Sequence, residues 1–228
     1  MSPFNADSEI NELTSNTRLR KEEAKEFRDD GDIVAAIDTL LGAVATLDGS
    51  PLAKDLTLVE VPSPQQKKLA FQLADCLGML GGNYRRLGEL THALAAFVRG
   101  QEIEESEKLE VPSSYNLVNA ITLPLEMKTQ TPTQLQPALN RAVAAIKRQV
   151  DHEERRNDRW AWADLAECQL LLGDLDDAKD SYARMCELGN ADTIVSVVAV
   201  LRRLKVALES EVQASEALRQ AIAWLEVA

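Results

Sequence analysis

Basic residues, aromatics, histidines and cysteines are all scarce in this chain, and each scarcity argues against a class of function. Lys and Arg number 25 against 37 Asp and Glu, a net charge of −12. Phosphate contacts need a surplus of cations, so a general nucleic-acid binder is not expected, and neither is a basic membrane-surface protein. The two histidines, His92 and His152, stand far apart. The stretch Asp151-His152-Glu153-Glu154 lacks the second histidine that a zinc-binding HExxH helix needs. Cys76, Cys168 and Cys186 are isolated and odd in number, which offers no disulfide framework and points to a reducing cytoplasm. Buried, inert thiols are the expected role. No phosphate loop occurs, and Gly78-x2-Gly81-Gly82 falls within an expected helix rather than after a strand. A non-enzymatic protein is therefore expected, with no cofactor and no metal. Apolar runs are short: Ile194–Leu201 is followed at once by Arg202 and Arg203, well under the roughly 18 residues a membrane span requires. No basic segment followed by an apolar run opens the chain, so no signal peptide is expected.

What remains is a chain 45% hydrophobic and only 4% aromatic, rich in Leu and Ala, which favours helices over sheets. Residues 1–13 read as a flexible lead-in, with Pro3, Asn5, Asp7 and Ser8 as turn formers. A helix to Asp29 is expected to pack through Leu19, Glu23, Ala24 and Phe27, and a second, Ile33 to Leu47, through Ala36, Leu40 and Ala43. Residues 48–64, punctuated by Gly49, Pro51, Pro62 and Pro64, form an inter-repeat loop. It either tucks its leucines and valines onto the helices or folds over a groove. A second helix pair spans 65–107 and ends in Glu102, Glu104, Glu105, Glu107 and Glu110, read as a solvated helix end. Residues 112–154 hold a third pair, its first helix kinked by Pro124 and its second starting near Pro137. A fourth pair spans 159–190, broken at Gly173-Asp174 and closed by a left-handed cap at Gly189. The last, 193–227, covers the end of the core with Leu218, Ile222 and Leu225.

Two of these pairs carry a specific pattern. Leu77-x2-Leu80-Gly81-x2-Tyr84 is followed by Gly88, Ala93 and Phe97; Trp162, Leu165, Ala166, Gly173, Ala178 and Tyr182 run almost parallel to it. Both fit the roughly 34-residue helix–turn–helix signature W-x2-L-G-x2-Y with A-x3-F, and on that match the chain resembles the tetratricopeptide repeat family. The resemblance implies an all-α, right-handed α-solenoid of about five antiparallel helix pairs with degenerate repeats and a C-terminal capping pair. It makes residues 14–228 one repeat domain. A narrower likeness joins Ser113–Asn119, the Trp-rich start of the fourth pair and Leu170–Asp174 to the TPR-type TRAF-binding region of stress-signalling kinases and its bacterial relatives.

In that family the first helix of each pair lines a concave, ligand-binding face, which nominates particular side chains here. Arg18, Lys21, Lys25 and Arg28 fall on one helical stripe. They read either as a basic groove or as a surface neutralised by Glu22, Glu23 and Glu26. Gly78 and Gly82 leave a bare stripe beside Arg85 and Arg86. Asn116 and Asn119 offer amides to an extended peptide. Trp160 lies about 200° from Trp162 around the helix, which makes it a candidate anchor. Some family members clamp a C-terminal carboxylate with Lys and Asn residues. Lys21 and Lys25 are similar to part of that set, but Met79 and Gly82 stand where the next repeat's asparagines belong, so a chaperone-tail receptor is not expected. The expected function is a protein–protein scaffold or adaptor holding a peptide or partner domain, acidic partners being among the candidates. The alternative is a self-assembling subunit that uses a face around Ala221 and Trp224.

Overall fold

Proline and glycine mark where the helices start and stop, and the chain between those marks is all-α. The computed structural model describes residues 3–51, 53 and 56–227, with side chains from residue 8 onward apart from 153 and 154, and no strand occurs among them. The chain divides into two compact units, residues 1–117 and 118–228. The boundary falls in the degenerate third pair, which lacks the Leu-Gly-x2-Tyr core of its neighbours.

The first unit holds α1 (Pro3–Asp29), α2 (Ile33–Asp48), α3 (Pro64–Leu87), α4 (Leu90–Glu104) and the first residues of α5 (Tyr115–Glu126). Helix α1 corrects the expected lead-in: from residue 3 onward that stretch is helical, and Ile10 is buried with Val44, Leu47, Leu69 and Leu73. Residues 1 and 2 lie outside the described ones. Of the residues expected to pack on α1, Ala24 is buried and Phe27 lies against the core, while Leu19 is 55% exposed and Glu23 is exposed; Thr17 and Lys21 are buried in their place. Asp32 caps α2 through the Ala35 amide, and Ser63 with Gln66 forms a capping box that starts α3 at Pro64.

Motif residues do here what their chemistry implies. Leu77 and Leu80 are buried, and Gly81 lies so close to Phe97 that a Cβ would meet its ring at 2.6–2.8 Å. Gly88 ends α3 at φ +79°, a left-handed conformation that favours glycine. In the 48–64 loop, a short 3-10 turn at Leu56–Leu58 buries Leu56, and Ala53 is buried too. Leu58 and Val61, by contrast, are 77% and 86% exposed. The loop therefore tucks in only part of its apolar content; residues 52, 54 and 55 lie outside the described ones.

The second unit holds the rest of α5 with α6 (Pro132–Asp151), α7 (Glu153–Arg156), α8 (Arg159–Leu172), α9 (Leu175–Leu188), α10 (Ala191–Ala207) and α11 (Val212–Leu225). Helix α6 starts at Pro132, five residues before the expected Pro137, because Thr131 and Gln134 form a capping box there. Gly173 takes the left-handed conformation at φ +90°. Gly189 does not: its φ of −95° and ψ of −166° carry the chain, extended, straight into Asn190, whose side chain caps α10 through the Thr193 amide. Tyr182 is fully buried, and Ser181 donates to Gln169 Oε1 at 2.7 Å, tying α9 to α8. No described helix is long and apolar enough to cross a membrane.

Candidate interaction face

Glu104, expected in a solvated acidic cluster, is 7% exposed and forms a polar node in the first unit. Its carboxylate accepts from Ser113 Oγ (2.6 Å), the Asn116 amide (3.2 Å), Asn116 Nδ2 (2.8 Å) and the Leu117 amide (2.8 Å). Two of these donors belong to the first turn of α5, which has no intrahelical partners for its amides. The last turn of α4 thus caps α5 across a gap in sequence. Burial pushes the Glu104 carboxyl up from its ordinary value, against the opposing pull of the hydrogen bonds from Ser113, Leu117 and Asn116. Asn116 Nδ2 also donates to the Ala74 carbonyl at 2.9 Å, and Gly100 leaves room for the Asn116 side chain.

This anchoring sets Tyr115 on α3. A Cβ on Gly78 would meet the Tyr115 ring at 2.9 Å, and one on Gly82 would meet its hydroxyl at 3.4 Å. Phe97 packs edge-on against the same ring, centroids 5.9 Å apart. Of the two readings of the bare glycine stripe, tight packing within the chain or close approach of a ligand, the side chain seated there is Tyr115 of this same chain. Tyr115 remains 45% exposed. On α3, Phe71, Asp75, Gly78 and Gly82 recur at i, i+4, i+7 and i+11, so they share one face. Phe71 is 37% exposed, and Asp75 is exposed as well.

Helix α1 borders that face at Asp75. Lys21, expected on an open stripe, is 8% exposed and donates to Gln72 Oε1 at 2.6 Å and Asp75 Oδ2 at 2.7 Å. Its stem is buried while its ammonium reaches the α3 surface. At 100° per residue, Arg18 and Lys25 flank Lys21 on the solvent side and stay exposed, Arg18 within 4.0 Å of Glu22. Arg28 is half-buried and turned to Asp29. Of the expected basic stripe, Arg18 and Lys25 are the members presented outward.

The other nominated residues scatter. Asn116 is 1% exposed and held in the Glu104 node, so its amide does not face a peptide. Arg85 is half-buried, and Arg86 is exposed with Nη1 3.4 Å from Asn83 Oδ1. Asn119 and Trp160 belong to the second unit. Asn119 is 8% exposed, another correction, because the helix face expected to carry groove amides is the one turned inward. Trp160 is 43% exposed beneath the Arg159 guanidinium, 5.4 Å from the ring centroid. Trp162 is half-buried and donates Nε1–H to the Arg156 carbonyl at 2.9 Å. Ala221 is 1% exposed within the α10–α11 hairpin and Trp224 is half-buried, so the expected self-association face is largely interior. Cys76 and Cys168 are buried, and burial pushes the Cys76 thiol up to about 12. Phe71, Asp75 and Glu104 are functional candidates that sequence reasoning missed, although the 71-75-78-82 spacing was there to be read.

No protein-family model matches the sequence, and no curated protein does either. Among solved structures, a tetratricopeptide repeat protein from Parabacteroides merdae is 16% identical with a TM-score of 0.41. The alignment covers 91% of this chain and 66% of that one, just under two thirds of its length. The TPR-like repeats of a putative kinesin light chain from Podosopora anserina, in a point-substituted form, are similar at 16% identity, with a TM-score of 0.48 and coverage of 93% and 95%. A second structure of those repeats gives 14%, 0.45, 93% and 96%. The helix pairs and their motif contacts establish the helical repeats without these likenesses.

Proposed function

We propose that this chain is a protein-interaction scaffold whose first unit takes a partner on the face built by α1, α3 and Tyr115. The observation that carries the reading is the pairing of two exposed aromatics, Phe71 and Tyr115, with the exposed cations Arg18 and Lys25 around one helix face. Partly exposed aromatics supply contact area at low entropic cost and are frequent binding hot spots. Arg18 and Lys25 sit on an otherwise acidic chain and favour a partner segment that combines apolar and acidic side chains. Asp75, held by Lys21, leaves that cation partly satisfied and makes the centre of the face close to neutral.

The triple variant Arg18→Glu/Lys25→Glu/Phe71→Ser changes only side chains with an exposed surface, so its helicity by circular dichroism is expected to match the wild type. Affinity for a partner isolated from the native host is expected to fall by at least ~10-fold, on the scale of a lost hot spot plus reversed rim charge. Binding unchanged in the triple variant would remove this face from consideration.

A further inference from the structure

The second unit holds a concavity of its own. The buried residues of α11, namely Leu218, Ala221, Ile222 and Leu225, begin only at the middle of the helix. Its first half stands off: Val212 is 79% exposed, and Ala214 and Ala217 are half-buried. Between that half-helix, the start of α6 and the α8–α9 turn runs a trough of ≈ 810 Å³, broadly open to solvent. From Val212 to Gln220 it follows α11 for about 12 Å at 1.5 Å per residue, a little over two helical turns.

The lining sorts by exposure. Leu171 is buried, and Leu172, Leu175, Ala214 and Ala217 are half-buried, forming an apolar floor. Gln136, Gln213 and Gln220 are exposed and form a polar rim. Among the described residues, the charged members of the lining are Glu211 and Glu216, the latter turned to Arg219, and α9 opens just past the lining residue Leu175 with Asp176 and with Asp177, the latter 3.6 Å from Lys147. Small-molecule sites enclose most of their ligand, which an open trough does not. An amphipathic helix satisfies its own backbone and needs from its host only a floor for its apolar stripe and complementary charge at the edges.

The geometry points to this trough as a docking site for an amphipathic helix of a partner protein, one that carries Lys or Arg beside its apolar stripe. Leu172, Leu175, Ala214 and Ala217 take the stripe, and Glu211, with the acidic start of α9, meets the cations. The site lies wholly within residues 118–228 and stands or falls independently of the face on the first unit.

The test uses the full chain and a fluorescein-labelled synthetic peptide of about 15 residues, leucine and lysine patterned to give one apolar helical face, with a leucine–glutamate peptide of equal length as its opposite. Anisotropy at physiological salt is expected to show saturable binding of the lysine peptide and none of the glutamate peptide. Ala217→Trp, which fills the trough without changing charge, is expected to weaken binding at least tenfold. Val212→Trp does the same from an exposed position and so preserves the test if Ala217→Trp disturbs folding. Equal binding of both peptides, no binding of either, or lysine-peptide binding unaffected by both tryptophans would overturn the proposal. So would light scattering that shows a wild-type dimer made monomeric by either tryptophan, since the trough would then hold a second copy.

Discussion

Glu104→Leu is expected to lower the unfolding free energy of the first unit by about 3–5 kcal/mol, a large effect for one side chain. Leucine keeps much of the volume but leaves Ser113 Oγ, Asn116 Nδ2 and the Asn116 and Leu117 amides without their acceptor in a buried setting. Each orphaned donor costs on the order of 1–3 kcal/mol, partly relieved by water entry. Glu104→Gln retains one acceptor oxygen but turns an NH2 towards those donors, and a smaller loss of about 1–2 kcal/mol is expected. Urea unfolding measures the loss. Hydrogen exchange locates it, because the Asn116 and Leu117 amides should lose protection well before those of α3. A loss under about 1 kcal/mol for the leucine variant would mean that the node does not hold α5. The functional consequence follows from geometry: with the first turn of α5 released, Tyr115 loses its seat over Gly78 and Gly82, and partner affinity falls without any change on α1 or α3.

Gly100→Ala carries the second large effect, and its sign is diagnostic. In a helix interior alanine is favoured over glycine by about 1 kcal/mol, so a stabilised protein is the default outcome. Here a Cβ would stand 2.3 Å from Asn116 Cγ and 2.5 Å from its Oδ1. Asn116 cannot swing away without breaking its bonds to Ala74 and Glu104. Overpacking of that kind costs about 1–3 kcal/mol, more than the propensity gain, and a net loss of about 1–2 kcal/mol is expected. The double-mutant cycle separates the terms. On an Asn116→Ala background the clash is gone, and adding Gly100→Ala should now stabilise. Destabilisation on both backgrounds would place the cost elsewhere.

Helices and their order were legible because the signals are local: Asp32 caps α2 through its own neighbours, and Gly88 and Gly173 end α3 and α8; the Thr131–Gln134 box, which sets the start of α6, looks like part of a turn in the sequence. The Gly81–Phe97 contact was legible too, since the repeat pattern encodes it at fixed spacing. The interaction face was only half legible. Lys21 and Arg28 fall on the same stripe as Arg18 and Lys25, yet small rotations of α1 decide which pair packs, and no residue on that helix announces the choice. Glu104 was hidden for a related reason. Five glutamates between 102 and 110 look like solvent-facing charge, and the burial of Glu104 depends on Ser113, Asn116 and Leu117 arriving from beyond the next turn. Gly78 and Gly82 likewise signal that something approaches closely, and the sequence does not say that the visitor is Tyr115 of the same chain.

The most direct test of the interaction face is site-specific photo-crosslinking in the native host. A benzophenone amino acid replaces Phe71 on α3 in one variant, and Val34 on α2 or Val98 on α4 in two others, all at exposed positions. A discrete partner adduct is expected from position 71, lost when Arg18→Glu/Lys25→Glu is added, and none from positions 34 or 98. Adducts from 34 or 98 with none from 71 would put the partner on a different face of the first unit.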